Sequence, residues 1–293
     1  MSIFEGSGVA IITPFKDDKI DFDSLEKLLE WQVSEKIDAI VSAGTTGEAS
    51  TLSDDEQIEL IDFTVKVIDR RVPVIAGAGS NYTAHGVELS KRAEAAGADA
   101  LLHVTPYYNK TSRKGLVAHF RALSEATSLP ILLYSVPART GMNITAAACE
   151  ELAGIKNIVG IKEASGDIAQ VVEIARRAPD GFDLYSGNDD MIVPLLSAGG
   201  IGTVSVLANL VPRDTHDMVR KFLDGDVKGS CEIQLRTKPL IDALFCEVNP
   251  IPVKAALHMM GKCEYEYRLP LCRMEEANFA RLEREMKAYG LIQ

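Results

Sequence analysis

The 293-residue chain has no run of about 20 uninterrupted apolar residues, the length a membrane span needs. Its first residues, Met1-Ser2-Ile3-Phe4-Glu5-Gly6, carry neither the basic cluster nor the apolar stretch of a secretory signal, so a cytoplasmic protein is expected. Cysteine is scarce: Cys149, Cys231, Cys246, Cys263 and Cys272 make an odd number with no C-x-x-C pair. That excludes a disulfide framework and a thiolate zinc site, and reduced thiols are expected. Basic residues are outnumbered, 31 Lys and Arg against 42 Asp and Glu, for a net charge of −11. A nucleic-acid phosphate backbone is therefore a poor partner. Neither G-x-x-x-x-G-K-[ST] nor H-E-x-x-H occurs, and Gly77-Ala78-Gly79 falls short of G-x-G-x-x-G because Tyr82 takes the third position. The five histidines, His85, His103, His119, His216 and His258, are scattered.

What is present reads as a folded globule. Hydrophobic residues make up 46% and charged residues 25%, which excludes disorder, collagen and a coiled coil. Short, apolar, β-rich runs recur along the chain: 8–12, 39–43, 72–76, 100–104, 131–134, 158–162, 182–185 and 203–207. Each is too short for a helix and too continuously apolar for a strand with one wet face. Buried parallel strands read this way.

Helical patterns lie between the runs. Ser53-Asp54-Asp55-Glu56 matches a capping box, and Ile58, Ile61, Val65 and Ile68 follow as an apolar stripe. Leu25, Leu28 and Leu29 form a stripe in the first unit, and Leu116, Phe120 and Leu123 in the fourth. Gly97 and Gly154 stand where helices end. Eight strand–helix units predict an α/β fold, a (β/α)8 TIM barrel, with an open doubly wound sheet as the alternative. Beyond residue 225 the strand pattern stops, and helices are expected over 227–245, 253–260 and 274–289, broken at Asn249-Pro250-Ile251-Pro252 and Leu269-Pro270. The expected division is a catalytic barrel over 1–225 and a C-terminal helical domain over 226–293.

A barrel of this kind carries its chemistry on the loops after the strand C-termini. The second run ends in Gly44-Thr45-Thr46-Gly47-Glu48, two hydroxyls in a tight turn, which could hold a carboxylate or be an ordinary Gly-rich turn. The fourth ends in Thr105-Pro106-Tyr107-Tyr108-Asn109, where the tyrosines could simply pack. The fifth ends in Tyr134-Ser135-Val136-Pro137-Ala138-Arg139-Thr140-Gly141 and brings a phenol near a guanidinium whose fork suits a carboxylate. The sixth, Ile158-Val159-Gly160-Ile161-Lys162-Glu163-Ala164-Ser165-Gly166, sets a lysine within an apolar strand. Burial disfavours an ammonium, and a neutral amine attacks carbonyls. The alternative is a lysine paired with Glu163 or another carboxylate. Asn188-Asp189-Asp190 reads as a cap for the next helix.

Taken together, G-T-T-G-E, Y-x-V-P-x-R-T-G and I-K-E-A-S-G resemble the dihydrodipicolinate synthase family of pyruvate-dependent class I aldolases, a superfamily that includes N-acetylneuraminate lyase. The resemblance runs from Gly6 to about Tyr289. It implies condensation of pyruvate with L-aspartate 4-semialdehyde through a Schiff base at Lys162, with Tyr134 as proton donor and acceptor. Thr45 and Tyr108 match its relay partners, and Tyr108 would enter from a neighbouring subunit of a homotetramer. Thr46 and the backbone at Val204 match pyruvate contacts, Arg139 the carboxylate contact for the semialdehyde, and Gly187 a glycine beside the substrate. The protonated imine is itself the electron sink, so no cofactor and no metal is called for.

The chain departs from the family pattern at two places. Ser135 stands where Asn is usual. Lysine-inhibited members hold lysine at a subunit interface with Asn, Glu, Tyr and a nearby His; here Asn81 and Tyr107 match, His85 replaces the Glu, and Asp54 and Gln57 stand at positions often held by His. Weak or absent feedback by lysine is expected. Three other functions compete. N-acetylneuraminate lyase lacks the arginine of Arg139-Thr140-Gly141 and usually has G-S-T-G-E. A non-catalytic barrel would be expected to lose Lys162 or Tyr134. A metal-dependent aldolase needs clustered His and carboxylate ligands.

Overall fold

The computed structural model describes residues 2–293. Its eight barrel strands are β1 (Gly6–Ala10), β2 (Ala39–Ser42), β3 (Val74–Gly77), β4 (Ala100–Val104), β5 (Ile131–Ser135), β6 (Ile158–Glu163), β7 (Asp183–Ser186) and β8 (Gly202–Ser205). Each pairs in parallel with the next, and β8 and β2 both pair with β1, so the barrel closes. The expected runs agree to within about two residues at each end, the usual scatter of strand boundaries. Sequential order and closure exclude the doubly wound sheet.

The strands are apolar on both faces because both faces are covered. Val9, Ile40, Val74, Leu101, Leu133, Ile161 and Leu184 point outward and share one core with the surrounding helices. Ala10, Val41, Ile75, Leu102, Leu132, Tyr134, Tyr185 and Val204 fill the barrel interior. Alternation along a strand separates the two sets. Outside, Leu25, Leu28 and Leu29 on the helix Phe22–Ser34 are fully buried, each contributing about 1.5–3 kcal/mol by leaving water. Phe4 stacks on Tyr185 at 4.5 Å near the start of the barrel, where the Tyr185 hydroxyl donates to the Phe4 carbonyl at 2.6 Å.

One irregularity matters for the site. Ile131 pairs with Ile158, but Leu132 pairs with Gly160, so Val159 is an extra residue in β6. From there the register runs Tyr134 with Lys162 and Ser135 with Glu163. A bulge of one residue exchanges the faces of everything beyond it. Unbroken pairing from Ile158 would set Ile161 beside Tyr134 and turn Lys162 outward.

The capping box at Ser53 and Glu56 forms, opening the helix Asp54–Ile68. Three helices follow the barrel: Val227–Leu244, Ile251–Met259 and Glu276–Tyr289. The middle one starts before the expected Val253 because Pro252 sits in its first turn, where a missing N–H costs nothing. Leu240, Leu244, Val253, Leu257, Leu282 and Met286 belong to the same outer core as the barrel strands. The sequence reading missed a short antiparallel ribbon, Phe15–Lys16 with Lys19–Ile20. Its turn residues Asp17 and Asp18 have φ of 54° and 58°, the left-handed pair of a two-residue hairpin.

Candidate active site

Tyr134 and Lys162 face inward from adjacent strands at the C-terminal end of the barrel. The Lys162 ammonium lies 4.2 Å from the centre of the Tyr134 ring. Both are buried, 6% and 7% exposed. Gly187 closes one side: a Cβ there would stand 3.1 Å from Lys162 Cε and 2.7 Å from the Ala164 methyl. Only glycine lets the loop after β7 pass this close to the amine. Val204 is buried in the same inner cluster as Tyr134.

The loop after β2 brings the hydroxyls. The Glu48 N–H donates to the Thr45 carbonyl, and Ala49 to that of Gly44. Ala43 and Glu48 bracket the turn with φ of 54° each, left-handed backbone costing about 1–2 kcal/mol apiece outside glycine. Thr45 is exposed and Thr46 buried. Thr45, Tyr134 and Arg139 line one cavity of about 410 Å³, which extends past Tyr107 to Asp54 and His85. Arg139 is held in the short helix Pro137–Thr140, and its Nη2 donates to the Asn249 carbonyl at 3.0 Å. Tyr108 is not brought in: it is 91% exposed with φ of 68° and does not line the cavity.

Two expectations change. Glu163 is not the partner of Lys162. It points to the outer face, where it accepts from the Ser165 N–H and Gln170 Nε2, and burial pushes its carboxyl above the usual range. Asp189 does not cap the helix that follows it. Its carboxylate accepts from the backbone N–H groups of Val206 and Leu207, securing the chain just beyond β8, and burial raises its carboxyl too. Ser135 also points outward, donating to Asn143 and accepting from the Ile144 N–H, so the missing Asn does not touch the reacting groups.

Two residues near the site escaped the sequence reading. Lys254 donates to Glu48 Oε1 at 2.5 Å, with both side chains fully buried. Phe15 lies 4.3 Å and Tyr267 5.1 Å from its ammonium. Burial raises the Glu48 carboxyl and lowers the Lys254 amine, and each charge partly offsets the shift of the other. Lys254 stands alone among Val253, Ala255, Ala256 and Leu257, the same anomaly that singled out Lys162. Asn249 reads in the sequence only as part of a helix break. Its Nδ2 donates to Thr46 Oγ1 at 3.0 Å.

Residues 3–289 match the model of the dihydrodipicolinate synthetase family. The chain belongs to that family. It is 55% identical over 292 residues to the 4-hydroxy-tetrahydrodipicolinate synthase of Caldicellulosiruptor saccharolyticus, covering 99% of both chains. Among solved structures, the dihydrodipicolinate synthase of Thermotoga maritima superposes with a TM-score of 0.98 at 42% identity, over 99% of this chain and 100% of that one. The family enzyme of Cyanidioschyzon merolae, solved with lysine bound, has a TM-score of 0.97 at 40% identity and covers 100% of both chains.

At the positions where the resemblance would place lysine, the side chains bond to one another and to the backbone. His85 Nε2 lies 2.9 Å from Asp54 Oδ1, and His85 Nδ1 lies 3.1 Å from Ser80 Oγ. Asn81 Nδ2 donates to the Tyr107 carbonyl at 3.2 Å. Gln57 turns inward and donates to the Gly77 carbonyl.

Proposed function

We infer that this chain is a lyase that condenses pyruvate with L-aspartate 4-semialdehyde to give 4-hydroxy-tetrahydrodipicolinate, in the biosynthesis of diaminopimelate and lysine. The carrying observation is the inward-facing Lys162 in register with Tyr134, its amine over the phenol ring. Family membership and the full-length relatives support the substrates.

Catalysis follows from what these groups can do. The Lys162 amine adds to the keto carbon of pyruvate, and loss of water leaves a protonated imine. That cation accepts the electron pair released when a methyl proton departs, giving an enamine. The enamine carbon attacks the aldehyde of the semialdehyde, forming the new carbon–carbon bond. The amino group of the bound semialdehyde unit then adds to the imine carbon, closing the ring and expelling Lys162. Tyr134, whose ring faces the Lys162 amine, is the group assigned to move these protons. A phenol needs a hydrogen-bonded partner for that work, and Thr45, which lines the same cavity, is the residue assigned to it. Thr46 and the backbone at Val204 take the pyruvate carboxylate, Gly187 leaves room beside the imine, and the Arg139 fork takes the carboxylate of the semialdehyde.

The relay is completed across a subunit boundary. Tyr108 projects into solvent from a left-handed backbone, beside the exposed Tyr107 and Tyr82. A cluster of exposed aromatics marks a protein interface. We propose a homotetramer, a dimer of dimers, in which Tyr108 enters the neighbour's cavity. Among the described residues no helix is long and apolar enough to cross a membrane, and a cytoplasmic setting fits the substrates.

The deciding experiment is product formation from pyruvate plus L-aspartate 4-semialdehyde, run beside cleavage of N-acetylneuraminate. Borohydride added with pyruvate should inactivate the enzyme and leave a reduced pyruvate adduct on the Lys162 peptide. An adduct on another lysine, or none, overturns the mechanism. Sugar-acid cleavage without synthase activity overturns the substrate assignment.

A further inference from the structure

Asn249 lies outside the barrel, just before the helix Ile251–Met259, and only 6% of it is exposed. It makes one hydrogen bond to each of two active-site loops. Its side-chain Nδ2 donates to Thr46 Oγ1, 203 positions away, and its backbone carbonyl accepts from Arg139 Nη2, 110 positions away. Its remaining side-chain atom, Oδ1, is buried without a hydrogen-bond partner among the described residues.

We propose that Asn249 is a positioning residue that directs the Thr46 hydroxyl proton to the pyruvate carboxylate and ties the loop after β2 to Arg139. The proposal rests on Thr46 and Arg139 serving the two substrates as assigned above. A threonine hydroxyl has one proton to donate. Receiving an N–H from Asn249, the Thr46 oxygen keeps that proton, and its O–H is free to meet a substrate oxygen. An acceptor in the same place would draw the proton away from the substrate. The orphan Oδ1 fits this role: a buried acceptor without a partner costs stability, so the amide is held for what its N–H does. The backbone carbonyl occupies one nitrogen of the Arg139 guanidinium and leaves the others for a carboxylate. The C-terminal segment thus reaches both substrate positions through a single residue.

Asn249→Asp tests the polarity, because it keeps the shape and the backbone carbonyl but presents only acceptors when ionised. At pH 8 the KM for pyruvate is expected to rise about tenfold or more, the scale of a lost hydrogen bond to a charged group. The KM for the semialdehyde should move less than about threefold. An unchanged pyruvate KM in a folded variant overturns the proposal, since Asp would then be an adequate substitute. If Asn249→Asp does not fold, a cycle of Asn249→Ala with Thr46→Val decides instead. Asn249→Ala should raise the pyruvate KM in the wild-type background and leave it within about twofold in the Thr46→Val background. Equal effects in both backgrounds overturn the proposal. Borohydride trapping of the wild type separates the two levels. Failure to trap pyruvate at Lys162 sinks the catalytic reading itself, whereas normal trapping with an unmoved KM sinks only the role of Asn249.

Discussion

Lys254 and Glu48 are 206 positions apart in sequence and 2.5 Å apart in space, with neither side chain in contact with solvent. The pair pins the helix Ile251–Met259 to the turn that carries Thr45 and Thr46. Breaking one side strands the other charge in the core, which costs about 3–5 kcal/mol. Lys254→Met should therefore lower the urea midpoint sharply, and Glu48→Gln in the same chain should recover much of the loss. The check is equilibrium unfolding of the two single variants and the double. Strict additivity would mean that the pair does not act as a unit.

Arg139 carries a narrower expectation. Arg139→Ala should chiefly harm use of the semialdehyde and leave borohydride trapping of pyruvate at Lys162 largely intact. Steady-state kinetics with each substrate varied, beside the trapping yield, will show it. Trapping lost as severely as turnover would mean that Arg139 serves pyruvate instead.

Acid should weaken the fold through His103. This ring is fully buried on the outer face of β4, 3.2 Å from Ser90 Oγ, and burial, with His119 nearby, lowers its pKa to about 3. The unfolded chain takes up that proton near pH 6.5 and the folded one does not. The stabilisation is complete above about pH 6.5 and fades as pH falls toward 3, by about 2 kcal/mol between pH 7 and pH 5. Unfolding free energies at both pH values, for wild type and His103→Gln, isolate the contribution. A variant with the same pH slope as wild type would refute it.

Lysine should inhibit weakly or not at all. The carboxylate best placed to replace the missing Glu is Asp54, and it is already bonded to His85. A desolvated ammonium without a charged partner loses several kcal/mol, and ~3 kcal/mol is more than a hundredfold in affinity. Titration of L-lysine into the steady-state assay tests this. Strong inhibition below a millimolar would show that Asp54 leaves His85 to take the ammonium.

The barrel was legible because parallel strands covered on both sides leave an unmistakable apolar rhythm, and eight such runs with helices between them admit few closures. Lys162, Tyr134, Thr45 and Arg139 stood out as polar groups at strand ends, each ambiguous alone, and the family resemblance supplied the roles expected of them. Asn249 and Lys254 were not. Their partners lie 110 to 206 positions away, and nothing in local periodicity records where a returning segment lands. Lys254 did break the pattern of its helix, but only the structure reveals Glu48 beneath it. Asp189 was misread because a carboxylate beside a helix start suggests the nearest free N–H groups, while the fold offers better ones beyond β8.

The bulge at Val159 makes the chemistry a matter of counting as well as spelling. β6 carries one surplus residue, and the inward positions of Gly160 and Lys162 follow it. A chain without Val159 would keep Leu132 beside Gly160 and Tyr134 beside Lys162, and the amine would still face its phenol. The full strand paired without the bulge would place the same lysine behind the sheet, among the helices, with every signature residue still present. Identical motifs can thus present the same lysine to either side of the sheet, according to whether one aliphatic residue is set outside the ladder.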